Sequence, residues 1–236
     1  MAGDRVAGAV EGLVTRARSL RLAHRGDWRR ANENTLAALE AALAVPACDG
    51  LEFDVRAARD GVPVINHDET LLRVHGRAER VDAMSSVALL DLGVPTLEDV
   101  LRVAGRRPFL DVELKVDPGP VVVEILAAGR GPELHNAVIS SFDHATLDAV
   151  RRRAPGWPRW LNSWTLDEAT VAVARTLGCR GVSVQWHALT ADSVALARSA
   201  GLEVAAWTVR RRSTFDRLER LGVIAVCVEA AALDGP

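Results

Sequence analysis

Eight short apolar runs, rich in β-branched residues, recur along this chain, and segments of helical periodicity separate them. The runs are 21–24, 50–56, 108–115, 137–142, 159–162, 181–185, 203–209 and 223–228. The helical segments are 35–45, 96–104, 119–128, 143–153, 166–177, 190–200 and 211–221. Such alternation points to parallel pairing, because a helical crossover must return the chain to the same end of the sheet. A doubly wound open sheet and a closed barrel both satisfy it. Eight strands in 236 residues, with no glycine-rich phosphate loop, favour the barrel, which takes roughly 250 residues. The expected fold class is therefore α/β, a TIM-type (β/α)8 barrel. With no Pro/Ser-rich linker or low-complexity tract, it is read as one domain over 1–236.

Local signals fill in the frame. Residues 1–20 read as an N-terminal amphipathic helix, with Val6, Val10, Leu13, Val14, Ala17 and Leu20 at helical spacing. Asn34, Thr96, Asp143, Thr165 and Thr190 sit where N-caps belong, and Thr165-Leu-Asp-Glu168 has the capping-box pattern. Gly178 and Gly201 mark helix ends. The turn Arg59-Asp60-Gly61-Val62 leads into Pro63-Val-Ile-Asn-His67, a short extra strand folding back on the second run. Residues 68–94 then form a short insertion, long for a connection and so expected to be functional or to carry small structure of its own.

Composition excludes several roles. A net charge of −2 lacks the basic footprint of a nucleic-acid binder. No apolar run approaches the roughly 20 residues of a membrane helix, so no stable membrane insertion is expected. The charged N-terminal segment has no signal-peptide core, and Cys48, Cys179 and Cys227 have neither zinc-like spacing nor an even count. A cytoplasmic location is the expectation.

The chemistry lies on two runs. In Gly50-Leu-Glu-Phe-Asp-Val-Arg56, period-two alternation sets Glu52, Asp54 and Arg56 on one face and Phe53 and Val55 on the other. In Phe109-Leu-Asp-Val-Glu-Leu-Lys115, Asp111, Glu113 and Lys115 share a face. In a barrel the apolar faces meet the helices, so these charges point inward. Clustered carboxylates resist ionisation unless a cation neutralises them, and a hard divalent ion, Mg²⁺ or Ca²⁺, is one solution. Internal salt bridges to Arg56 and Lys115 are the other. Lys115 is the only lysine among 29 basic residues. His24 ends the first run ahead of Gly26, and His67 ends the extra strand; both are candidate general acids or bases. His75, His135, His144 and His187 read as loop or surface residues. The Arg151–Arg153 and Arg210–Arg212 runs read as solvated helix ends, although the second could face a phosphate. Trp207 is either core filling or a substrate wall.

In order and spacing, these pieces resemble the glycerophosphodiester phosphodiesterases over roughly 21–209. The matching pieces are His24-Arg25-Gly26, Glu33-Asn34-Thr35, Glu52-Phe-Asp54-Val with Asp60-Gly61, His67-Asp68, Pro95-Thr-Leu-Glu-Asp-Val-Leu101, Glu113-Leu-Lys115, Ser140-Ser-Phe142 and Trp207-Thr-Val209. The resemblance implies metal-dependent hydrolysis of glycerophosphodiesters to glycerol 3-phosphate and an alcohol. It implies that His24 and His67 serve as acid and base, and that Glu52, Asp54 and Glu113 bind the divalent metal. It further implies that Arg25 and Lys115 face the phosphate and that Glu33 belongs to their network. The substrate is then a small phosphodiester, with Trp207 beside it. Three departures stand out: Ala31-Asn32 before Glu33, Arg210 after Trp-Thr-Val where Asn is common, and a last strand, Gly222-Val-Ile-Ala-Val-Cys-Val-Glu229, that lacks the usual Gly-Val-Asp-Gly and Thr-Asp pattern. Two other readings keep the barrel: phospholipase D-like action on a phospholipid or lysophospholipid, with Val87, Leu89, Leu90 and Leu92 near the mouth, or a non-catalytic phosphodiester-binding barrel.

Overall fold

The computed structural model describes residues 18–117 and 119–235. Its strands are β1 (Leu20–His24), β2 (Gly50–Ala57), β3 (Pro63–Ile65), β4 (Phe109–Leu114), β5 (Ala137–Ser141), β6 (Arg159–Ser163), β7 (Gly181–Gln185), β8 (Glu203–Val209) and β9 (Ala225–Val228). All but β3 run parallel in the order β1-β2-β4-β5-β6-β7-β8-β9, and β9 pairs back with β1, closing an eight-stranded barrel. The expected TIM-type architecture is what forms. β3 runs antiparallel to the far end of β2, with Val55 opposite Ile65, which is the extra strand expected after the Asp60-Gly61 turn.

The helices are α1 (Leu36–Leu43), α2 (Leu72–His75), α3 (Ser86–Leu90), α4 (Leu97–Ala104), α5 (Val121–Arg130), α6 (His144–Arg153), α7 (Glu168–Thr176), α8 (Ala191–Ser199) and α9 (Arg212–Leu221). Their apolar faces bury against the outward side chains of the strands. Phe53, Val55, Val112, Leu114 and Ile139 pack in one cluster with Leu39, Leu97, Val100, Leu126 and Leu147. Complete burial of side chains this size stabilises by about 1.5–3 kcal/mol each. Inside the barrel a smaller plug of Leu22, Val138, Trp160, Ala205 and Cys227 fills the interior. The 68–94 connection carries α2, α3 and a small core of its own, in which Leu71, Val81 and Leu89 pack on Ala58 and Val64.

Three local expectations need correction. Most of the helix expected over 1–20 lies outside the described residues. Its end is not helical: the Ser19 amide donates to Glu219 Oε1 and its hydroxyl to the Val223 carbonyl, and Leu20 already belongs to β1. The cap of α1 is Thr35, not Asn34; Thr35 accepts from the Ala38 amide while Asn34 turns away with φ +58°. The capping box at Thr165 does not form. The helix begins at Glu168, so Asp167 stands at its N-cap and accepts from the Thr170 amide. At Thr96, Asp143 and Thr190 the expected caps form, with full capping boxes at Thr96 and Thr190.

Candidate active site

The C-terminal ends of β1, β2 and β4 bring the acidic residues together. Register pairs His24 with Glu52 across β1 and β2, and Asp54 with Glu113 across β2 and β4. Glu52, Asp54 and Glu113 are all buried, and each offers an oxygen within 4.8 Å of the others. That proximity would be strongly repulsive for three bare charges.

The site neutralises them unequally. Asp54 has the cations: Lys115 Nζ lies 3.0 Å from its Oδ1 and Arg25 Nε 3.0 Å from its Oδ2. The Asn34 amide also donates to Oδ2 at 2.8 Å. Burial pushes the Asp54 carboxyl up, but Lys115 and Arg25 outweigh it and hold the group well below the usual range. Glu113 pairs with the Lys115 ammonium, with Arg25 as a weaker support, and burial with the Asp54 charge drives it up. Glu52 has no hydrogen-bond partner for either oxygen among the described residues; burial, then Asp54 and Glu113, raise it far above an ordinary glutamate. Asp111, one step deeper, is pushed by burial to about 7 despite a 2.6 Å bond from Ser140.

Each flanking histidine has one ring nitrogen tied to a carboxylate. His24 Nδ1 is 2.6 Å from Glu229 Oε1, and its Nε2 is 3.8 Å from Glu52 Oε2. His67 Nδ1 is 2.6 Å from Asp68 Oδ1, and burial lowers its pKa. Arg73 donates to the other oxygen of Asp68 at 2.6 Å and to both oxygens of Glu33, which also accepts from Arg25 at 2.9 Å. A tight turn aims Arg25 inward. Its φ is +59°, and Gly26 follows at +89°, where an added Cβ would lie 2.5 Å from the Ala38 backbone.

One wall is aromatic. Trp207 donates to the Ser183 carbonyl at 3.0 Å and packs edge-on against Trp164 (4.8 Å) and Phe142 (5.6 Å). His24, Arg25, Glu52, His67, Glu113, Lys115 and these rings enclose a cavity of about 170 Å³. Asp54 and Glu33 lie just outside its lining; Asp54 contacts Lys115 and Arg25, and Glu33 contacts Arg25 and Arg73. A larger cavity, about 540 Å³, opens at the opposite end of the barrel beside Phe109, Trp160 and the Arg180–Glu203 pair. Among the described residues it gathers no group of carboxylates that could hold a metal, so we place the chemistry in the smaller one.

All nine residues singled out from the sequence (His24, Arg25, Glu33, Glu52, Asp54, His67, Glu113, Lys115 and Trp207) belong to this one constellation. His75, His135, His144 and His187 do not line it. The Arg151–Arg153 run pairs with Asp148 and Asp117. Arg210 donates to Glu229. Sequence reasoning missed Glu229, Arg73, Asn34 and Trp164. Only Glu229 left a usable sign: it ends the last strand, as His24 ends the first, and closure makes those strands neighbours.

Relatives agree with the geometry. A glycerophosphodiester phosphodiesterase of Caldanaerobacter subterraneus subsp. tengcongensis is 29% identical, over 87% of this chain and 92% of its own length. One of Bacillus subtilis is 28% identical, over 91% and 84%. The structure of an Oleispira antarctica phosphodiesterase in complex with the product sn-glycerol-3-phosphate superposes with a TM-score of 0.79 at 26% identity, covering 89% of this chain and 93% of that one. Residues 24–233 match the sequence pattern of one family throughout. Barrel, acidic cluster and sequence therefore converge, and the chain belongs to the glycerophosphoryl diester phosphodiesterase family.

Proposed function

We propose that this chain carries out its family's reaction as a divalent-metal enzyme, with His24 and His67 as acid and base, releasing glycerol 3-phosphate and an alcohol. The observation that carries the reading is Glu52. Two buried carboxylate oxygens without a hydrogen-bond partner, beside two more acidic groups, are costly without a cation. Glu52, Asp54 and Glu113 would hold that ion, and an all-oxygen donor set suits Mg²⁺ or Ca²⁺. When bound, the ion supplies charge neutralisation at the phosphoryl oxygens.

The remaining work belongs to the chain. Arg25 and Lys115 face the diester's non-bridging oxygens and stabilise charge that grows there during displacement. Glu33 and Asp54 hold those two cations in place. One histidine takes the proton from the attacking hydroxyl, either water or the glycerol 2-hydroxyl; in the second case the cyclic phosphate that forms is then opened by water to glycerol 3-phosphate. The other gives a proton to the departing alcohol oxygen as its bond to phosphorus breaks. Each such transfer contributes about 10²–10⁴-fold. Trp207, with Phe142 and Trp164, offers an apolar wall to the part of the substrate that carries no charge. The substrate is a small phosphodiester. No helix among the described residues is long and apolar enough to cross a membrane. A cytoplasmic location fits the three free cysteines.

The test is release of glycerol 3-phosphate from glycerophosphocholine and glycerophosphoethanolamine, and of choline from lysophosphatidylcholine, with Mg²⁺, Ca²⁺ or EDTA, beside His24→Ala and His67→Ala. Metal-dependent release, reduced at least ~100-fold in either variant, is the expected result. Choline release from the lyso-lipid alone would shift the substrate to lipids. No release from folded, metal-supplied protein would sink the reading.

A further inference from the structure

We propose that Glu229 is a positioning residue for His24, fixing the ring's working tautomer, with Arg210 as its anchor. The proposal rests on the phosphodiesterase reading above. Closure of the barrel places β9 beside β1 with Ala23 opposite Val228, so the next residues on each strand, His24 and Glu229, emerge at one level. An ionised carboxylate only accepts hydrogen bonds, so at 2.6 Å from Glu229 Oε1 the His24 Nδ1 carries the proton. Nε2 is then the bare nitrogen, and it is the one on the Glu52 side, 3.8 Å from Oε2. Without a partner at Nδ1, a neutral imidazole divides between tautomers, and part of the population would present N–H where a lone pair is required.

Glu229 is built for the task. It is 6% exposed, so little water competes for its oxygens. Its amide donates to the Val209 carbonyl at 2.8 Å, which fixes the backbone. Its second oxygen accepts from Arg210 Nε at 2.7 Å. Burial works against the carboxylate, but the His24 and Arg210 bonds hold it ionised. His67 has a similar chain through Asp68 to Arg73, yet that arginine also grips Glu33 and so reaches the phosphate side of the site. Among the side-chain hydrogen bonds described, Glu229 and Arg210 reach the site only through His24. Two positions that depart from the family's usual residues thus face each other across one 2.7 Å contact.

The experiment joins kinetics to nitrogen-15 NMR of imidazole-labelled protein, with His24 assigned by its loss in His24→Ala. In the wild type the His24 signals should report Nδ1–H and a bare Nε2. In Glu229→Gln they should move toward a tautomer mixture, with the other histidines unchanged. With Mg²⁺ and glycerophosphocholine, Glu229→Gln should lose about 10- to 100-fold in kcat while KM stays within about twofold. Glu229→Asp should recover part of that loss, and Arg210→Met should show a smaller loss of the same kind. A wild-type spectrum with the proton on Nε2 overturns the proposal, as does Glu229→Gln with kcat within about twofold of wild type. If Glu229→Gln fails to fold, the wild-type spectrum and Arg210→Met still decide. If the wild type shows no turnover, the phosphodiesterase reading fails, while the tautomer measurement still judges the positioning claim.

Discussion

Lys115→Met isolates the electrostatic core of the site. The change removes the ammonium that lies 3.0 Å from Asp54 and also pairs with Glu113, while keeping most of the side chain's length. Asp54 retains Arg25 at 3.0 Å and Asn34 at 2.8 Å, so Glu113 carries the loss. Breaking a buried pair from one side costs about 3–5 kcal/mol when the remaining charge must stay. Here the cost has a ceiling, because Glu113 can take a proton instead. For a carboxyl with an ordinary value of 4.5, protonation at pH 7 costs about 3 kcal/mol, at 1.36 kcal/mol per pH unit. The folded variant would then bind one proton more than its unfolded chain, so its stability rises as pH falls. Because burial and Asp54 already push Glu113 up in the wild type, the deficit in urea melts in EDTA should stay below about 3 kcal/mol at pH 7 and shrink as pH falls toward about 5. No deficit, or one unchanged by pH over that range, would refute the claim that Lys115 favours the charged form of Glu113.

Metal should stabilise the fold: at 100 times its Kd, Mg²⁺ or Ca²⁺ adds about 2.7 kcal/mol, and calorimetry should find most of that gain gone in Glu52→Gln. Glu229 gives a second pH signature. Its carboxyl is held at about 2 against an ordinary 4.5, so its stabilisation is complete above the ordinary value and disappears as pH falls through the folded one. The wild-type advantage over Glu229→Gln in urea melts should therefore be larger at pH 6 than at pH 3; an equal gap would show that the carboxylate's charge contributes nothing. Trp164, two-thirds exposed, anchors little of the core. Trp164→Ala should raise KM or alter head-group preference while leaving the thermal midpoint close to wild type, and steady-state kinetics on two diesters would reveal a failure of that expectation.

How far the sequence disclosed this site follows from which geometry each residue depends on. Glu52, Asp54, Glu113 and Lys115 sit in strands, and period two alone sorts them from Phe53, Val55, Val112 and Leu114. Burial then multiplies the signal, since charges on the inner face of a barrel need a reason to be there. His24 is legible because it ends a barrel strand at the C-terminal face, where function collects, whereas His67 lies two residues past the short antiparallel β3 and is singled out as the end of an expected strand. Their roles and the metal set come from family resemblance; the register of β1, β2 and β4 shows that His24, Glu52, Asp54 and Glu113 meet at one end of the barrel. Asn34 was misread as a cap because Asn suits an N-cap and a left-handed turn equally well, and only the three-dimensional approach of Asp54 chooses between them.

Closure of the barrel hides the rest. Glu229 and His24 stand 205 positions apart, and Arg73 lies 40 from Glu33, so no window of the sequence contains both partners. The same closure explains why the atypical last strand is compatible with an intact acidic cluster. β8 and β9 reach the site mainly through side chains at their ends, Trp207 and Glu229, whereas β2 and β4 supply the three-carboxylate cluster. Substitutions in β9 that keep one acceptor beside His24 therefore leave the charge balance of the acidic cluster untouched. Glu229 reaches His24 with one oxygen, and the Arg210 guanidinium holds the side chain through the other. On this argument Arg210 and Glu229 form one functional unit. Their double variant should lose less activity than the product of the single losses, because removing Glu229 already leaves Arg210 nothing to hold. Multiplicative losses would mean that Arg210 acts on the substrate directly.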